Sequence, residues 1–179
     1  MAAPSSKFLE NLSGNWTLNK SLSDDPTPAL ELQGVNYLIK KAATSASVHL
    51  KVTQPDKDHI SMKQNATSFK IPGTSEDYTL DWTWRDDHDP VFGDLKGRSR
   101  WVSEADLDGK DVELVKKGKW DGDVLVQAEG NKSDGSWGGT HFGGFEEVGG
   151  ERRHVRWIRI WTRDGEEVVM RMVYDFDGE

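Results

Sequence analysis

Cysteine is absent from this 179-residue chain. Its absence excludes disulfides, thiolate metal sites and a cysteine nucleophile, and fits the reducing interior of a cell. Long apolar runs are missing too. Residues 1–14 hold no stretch of signal-peptide length and no segment is long enough to span a bilayer, so a cytoplasmic protein without a membrane span is expected. Positive charge is in the minority. With 23 Lys and Arg against 31 Asp and Glu, the net charge of −8 argues against nucleic acid or an anionic membrane as partner. Phosphate loops, nucleotide-binding glycine fingerprints and serine-triad spacings are not there either, so no cofactor is expected. The one dense run of metal-type ligands, Asp86-Asp87-His88-Asp89, is consecutive and ends at Pro90. Its side chains cannot converge on one ion, so it reads as a solvated acidic loop and no metal is expected. His141 stands isolated. The length suits a single domain over 1–179, expected as a monomer.

What the chain does have is strand rhythm. Gly14 to Leu22 reads as a first strand, and Asp24-Asp25-Pro26 then starts a helix with a carboxylate cap and a proline behind it. Gly34 divides two short helical stretches over about 25–45, the second with Tyr37, Leu38 and Ala42 as its apolar stripe. Beyond it the period switches to two. Val48, Leu50 and Val52 alternate with polar residues, and Ile60, Met62 and Gln64 repeat the pattern after a turn at 54–58. Tyr78, Leu80, Trp82 and Trp84 share one face of a further strand, and Arg85–Asp94 reads as an acidic loop. Arg98–Ser103 is a strand, and Val112–Trp120 with Val124–Glu129 reads as a hairpin around Asp121-Gly122. The glycine-rich stretch of about 130–152 breaks the rhythm and reads as a long loop, with room for one extra ribbon. His154–Thr162 and Glu167–Phe176 form the last hairpin. About ten strands joined mostly by tight turns predict an all-β fold, a closed up-and-down antiparallel β-barrel with a helix-turn-helix lid after the first strand. Gly14-Asn15-Trp16 fits the plugged end, where tryptophan fills the barrel floor.

The order of these features resembles the intracellular lipid-binding proteins, the fatty-acid- and retinoid-binding members of the calycin group. Phe8 to Trp16 is similar to that family's opening Phe-x-Gly-x-Trp with a longer gap. Ser23-Asp24-Asp25, Gly34-Val35 and Lys40-Lys41-Ala42 look like its paired lid helices. Lys96-Gly97-Arg98-Ser99-Arg100, Gly118-Lys119-Trp120-Asp121-Gly122 and Val168–Tyr174 resemble its later turns and final strand. The resemblance implies a flattened ten-stranded barrel, a helical lid and an internal cavity for a hydrophobic ligand. It also exposes two departures. Where carboxylate-binding members carry a pair of arginines, this chain has Met172 and Glu129, and 130–152 is an insertion. A carboxylate would meet an apolar group and a like charge, so a neutral ligand of terpenoid, polyketide or retinoid type is expected. A secreted lipocalin also opens on glycine-x-tryptophan, but the missing cysteines and the helical pair disfavour it.

Candidate ligand contacts follow from the strand faces. Tyr37 and Leu38 come from the lid, Met62, Tyr78, Trp82 and Trp84 from the middle strands, and Met172 and Tyr174 from the apolar face of the last strand. Arg98 and Arg100 lie inside if Val102 does, with Glu129 as a partner, or else project to solvent. Trp157, Arg159 and Trp161 share one face of their strand and Arg156, Ile158 and Ile160 the other. Each face mixes apolar and cationic groups, and the rhythm does not say which is inside. The expected function is binding of a hydrophobic small molecule in the barrel. The alternative is a cofactor-independent cyclase or isomerase that folds its substrate in the same cavity, with Glu129 and Tyr174 as acid and base.

Overall fold

A computed structural model describes residues 1–66 and 73–179. Ten strands form a single antiparallel sheet that curls into a nearly closed barrel: β1 (Gly14–Leu18), β2 (Val48–Asp56), β3 (His59–Ala66), β4 (Thr74–Thr79), β5 (Arg85–Asp89), β6 (Gly93–Ser103), β7 (Val124–Lys132), β8 (Trp137–Val148), β9 (Glu151–Thr162) and β10 (Glu167–Gly178). Their spatial order is β4-β3-β2-β1-β10-β9-β8-β7-β6-β5. Every neighbour in space is a neighbour in sequence except β1 and β10, which join the two ends of the chain. Two short helices, α1 (Thr27–Leu32) and α2 (Tyr37–Ser45), follow β1 as the lid. The expected up-and-down barrel and its helical pair are both present.

Alternation builds the interior. On β2, Val48, Leu50 and Val52 are buried while His49, Lys51 and Thr53 face water. Together with Ile60, Met62, Phe145, Tyr174 and Phe176 they surround Trp16, which is 1 % exposed. The Trp16 indole N–H donates to the Leu12 carbonyl at 3.0 Å, so the plug is apolar at its body and satisfied at its polar tip. Gly14 precedes it with φ +132°, and a Cβ there would lie 2.8 Å from the Phe176 ring and 2.9 Å from the Gly178 carbonyl oxygen.

Three segments depart from the expectation. The first is 130–152, which is not an inserted loop. Most of it is β8, paired with β9 along its length and with β7 from Gly138 to Gly143. Its glycines make room for large side chains lying across the strand. A Cβ on Gly138 would sit 2.7 Å from the Trp161 ring, on Gly139 2.6 Å from Ile160, and on Gly144 2.5 Å from the Trp120 ring. Secondly, Gly109–Val115 is a helix, α3, not a strand. Val112 and Leu114 fit period two, but Val112 and Val115 fit a helix turn equally well, and burial decides. Leu114 and Val115 pack with Val102, Leu125 and Phe142 in a small core outside the barrel. Thirdly, Arg85–Asp89 is not a loop but the charged edge strand β5, ended by a turn in which Asp89 accepts the N–H groups of Val91 and Phe92 at 2.7 and 2.9 Å.

β4 and β5 are the sheet's two edges. The barrel is closed across them by a short seam: Trp82 N–H donates to the Ser99 carbonyl at 2.8 Å, and the Ser99 hydroxyl to the Thr79 carbonyl at 3.1 Å. Trp82 has φ +59°, which ends the strand face expected to run from Tyr78 to Trp84.

The close approach at Gly14 is testable. Gly14→Ala adds a clash to an unfavourable φ, and should lower the unfolding free energy in urea by about 3 kcal/mol. Gly34 has φ +69° but nothing within 4 Å of its would-be Cβ. Gly34→Ala should therefore cost only about 1 kcal/mol. Equal losses would show that the contact with Phe176 is unimportant.

Candidate functional site

The functional candidates converge inside the barrel from four strands. Glu76 and Tyr78 stand two apart on β4 and so share its inner face. β8 supplies His141, β9 supplies His154 and Arg156, and β10 supplies Met172 and Tyr174. Arg156, only 4 % exposed, reaches across the barrel to Glu76, with Nη1 at 3.1 and 3.3 Å from the two carboxylate oxygens. Its Nη2 contacts the Met62 sulfur. The Tyr78 hydroxyl donates to Glu76 and lies 3.3 Å from Nε2 of His141. His154 packs against Trp16, Phe145 and Tyr174 beneath them.

Above this cluster lies a cavity of about 370 Å³. Glu76, Tyr78 and His141 form one wall, and Phe92, Leu95, Trp137, Ile158 and Ile160 give the rest its apolar character. Arg156 sits behind Glu76, so the charge nearest the cavity is already balanced. The size and the mostly apolar lining with a few convergent polar groups suit a hydrophobic small molecule.

Burial opposes ionisation of Glu76, but the Arg156 guanidinium, His141 and the hydrogen bonds from Tyr78 and Arg156 outweigh it, and the carboxyl titrates below its usual range. Burial, and after it the Glu76 charge, push the Tyr78 hydroxyl well up. Burial raises Tyr174 likewise. Burial and then the Arg156 charge lower His141 to about 4, and they push His154 well below its ordinary value. At neutral pH the wall therefore presents a carboxylate, a phenol and an uncharged imidazole.

Several sequence candidates stand elsewhere. Tyr37 and Leu38, in the first turn of α2, are 69 % and 67 % exposed, and of the expected stripe Ala42 alone is buried. Trp157 lies on the outer face, where it packs with Phe142 and α3 and its indole N–H donates to Glu146 at 2.8 Å. Arg98, Arg100 and Glu129 are also on the outer face. Arg98 pairs with Glu129 at 2.7 Å, the partner expected for it, and Arg100 donates to Gln127 at 2.8 Å. Trp82 is held between the two guanidiniums, at 3.9 and 4.1 Å from its ring, and Trp84, 40 % exposed, covers Arg98 at 4.4 Å. Val102 is buried, but in the outer core under α3, so its burial does not bring the arginines inside. Glu129 and Tyr174 stand on opposite faces of the sheet and cannot work as an acid and base pair.

Met62, Tyr78, Met172 and Tyr174 do face the interior. Glu76, His141, His154 and Arg156 are the additions. The signal for Glu76 was present, since placing Tyr78 inside places the residue two before it inside as well. His141 lies between two glycine pairs, Gly138-Gly139 and Gly143-Gly144, that hide any alternation.

The two buried histidines are neutral in the folded chain and take up protons when it unfolds. Folded pKa values below the unfolded one mean that stability is full above about pH 6.5 and is lost as pH falls toward 4. His141→Gln should remove about 2–3 kcal/mol of the loss in unfolding free energy between pH 7 and pH 4.5. Urea titrations at the two pH values check this, and an unchanged difference would place His141 in contact with water.

No protein-family model matches the chain. Among solved structures it resembles the REP1-NXSQ fatty acid transporter, with a TM-score of 0.60 and 16 % identity over 94 % of this chain and 97 % of that one. It also resembles the fluorescent protein UnaG, with a TM-score of 0.58 and 14 % identity over 92 % and 96 %. At such identities the likeness is one of fold. In sequence, pericyclase pydY of Acremonium sp is 29 % identical over 183 residues, 99 % of this chain and 98 % of that one. The probable pericyclase scpY of Mollisia scopiformis is 33 % identical over 186 residues, 99 % of this chain and 95 % of its own. The chain, a lipid-binding-protein barrel by fold, thus belongs by sequence to the family of this probable pericyclase.

Proposed function

We propose that this chain closes rings by a pericyclic reaction in an apolar, polyunsaturated molecule that carries a carbonyl group, and that it uses no cofactor. The observation that carries this reading is the polarity of the cavity. Glu76, Tyr78 and His141 form one wall, with Glu76 balanced by Arg156; Phe92, Leu95, Trp137, Ile158 and Ile160 make an apolar wall, and charged side chains of β5 and β6 border the cavity as well. The pericyclase relatives supply the reaction class.

A pericyclic closure redistributes π electrons within one molecule. New σ bonds form as π bonds are consumed, and no proton or electron leaves. The chemistry therefore calls for a shape more than for an acid or base. A flexible polyene loses its freedom on entering the cavity, and burial of its apolar surface, at about 25 cal/mol per Å², offsets that loss before the reaction starts. Tyr78 spends its one proton on Glu76, so the donor left on the polar wall is the neutral His141 ring, which keeps one N–H. A conjugated carbonyl that accepts from it is polarised, and one well-placed donor is worth about 3 kcal/mol of barrier. Glu76 stays ionised beside Arg156 and holds the Tyr78 hydroxyl in place. Because Arg156 is already matched, a carboxylate ligand gains no net attraction here, which supports a neutral substrate.

The test uses the substrates of the two pericyclase relatives. Purified protein should accelerate ring closure over buffer. His141→Phe should slow it about 30-fold, equivalent to about 2 kcal/mol, while product binding, followed by tryptophan fluorescence, changes less than about threefold. Equal rates with and without protein, with the substrate nonetheless bound, would make this a carrier.

A further inference from the structure

We propose that substrates reach the cavity sideways, through the slot between edge strands β4 and β5, and that the acidic banks of this slot admit neutral molecules and turn anions away. This deepens the reading above by fixing the charge class of the substrate, and rests on it only for the reaction.

Three observations converge. First, among the described residues β4 pairs only with β3 and β5 only with β6, so no ladder joins the two edges. Secondly, all six residues from Thr74 to Thr79 border the cavity. Successive strand residues point to opposite faces. A space that touches all six runs past the edge of the strand to the outside. The outer-face residues Arg98 and Glu129 border it too, as do Arg85, Asp86 and Asp87 on the opposite bank. Thirdly, α1 covers the β9 and β10 part of the helical end, where Ala29, fully buried, sits on Ile160 and Met170.

The seam limits the slot at one end. Trp82 anchors that seam through its bond to Ser99, with its ring held between Arg98 and Arg100. The open part is edged by Asp77, Asp86 and Asp87. The cations nearby are engaged. Arg85 is held by both oxygens of Asp81 at 2.8 and 2.7 Å, and Lys96 lies 3.8 Å from Asp86. An anion approaching this gap meets an excess of carboxylates on a chain of net charge −8. The repulsion acts over about 30 Å at about 0.01 M salt and is screened to within about 10 Å at about 0.1 M.

Because the chain has no cysteine, one introduced thiol can be labelled alone. Ser75→Cys places a bulky maleimide on the β4 bank, and Tyr37→Cys places it on the exposed face of α2. Nile red, a neutral apolar dye, is then mixed with each protein in a stopped-flow instrument. The slot label should slow uptake at least about tenfold, with unlabelled Ser75→Cys unaffected and the lid label changing the rate less than about twofold. In the second arm, Asp77→Asn/Asp86→Asn/Asp87→Asn should speed uptake of the anionic dye anilinonaphthalene sulfonate about fivefold at low salt, leave Nile red unchanged, and lose its advantage in about 0.5 M salt. A silent slot label, or a lid label that slows uptake as much, overturns the lateral route. An anionic dye indifferent to the three carboxylates overturns the filter. Both dyes report occupancy and not turnover, so a failed ring closure and a failed port are separate results.

Discussion

Arg156 holds Glu76 across the barrel, and the interior is arranged around the cost of burying those two charges. Removing one partner of such a pair leaves an uncompensated charge and typically costs about 3–5 kcal/mol. The pair is supported on each side. Tyr78 donates to the carboxylate, the Met62 sulfur meets the guanidinium, and the Tyr174 ring lies 5.7 Å from it. The same pair sets the protonation of its neighbours, since the cation helps to keep both histidines neutral. A barrel of this architecture could clamp a carboxylate with free arginines. Here the buried arginine has its anion built in, and what remains for a guest is hydrogen bonding and apolar contact.

Half of the sheet is buried on both sides. On β2 and β3 the outer face is polar, but β7, β8 and β9 carry a second core beneath α3, with Phe142, Trp157, Leu114 and Val115. That outer layer fixes the wall from which His141 and Arg156 project. The glycines of β8 belong to the same arrangement, letting Trp120 and Trp161 lie flat against the strand on one side while Ile160 occupies the other.

Two-sided burial also marks where the sequence stopped being legible. Period two is unambiguous on β2, where one face is apolar and the other charged, and on β10, whose inner face Val168, Met170, Met172, Tyr174 and Phe176 is apolar throughout. It separates the two faces of β9 equally well, but cannot say which is inside when both hold tryptophan or isoleucine beside arginine. Arg98 and Arg100 were tied to Val102 correctly, and the face was decided by α3, which the sequence disguised as a strand. Trp82 breaks the alternation through a left-handed backbone that no side-chain pattern announces. The barrel and lid were readable because they rest on many repeated signals. The Glu76–Arg156 pair was not, because it joins residues 80 positions apart whose facing depends on that undecided strand.

The sheet's cut and the chain's cut fall in different places. In space the ring of strands is interrupted between β4 and β5, whereas β1 and β10 lie side by side in the middle of the sheet, with Asn15 opposite Gly178. The residues of β10, made after the other nine strands, are therefore central ones. Until they arrive, β1 lacks one of its two partners and the halves of the sheet cannot join. Contacts so distant in sequence are formed late and slowly, so maturation of this barrel waits for its C-terminal strand, and truncation there splits the sheet at its centre and spares its edges.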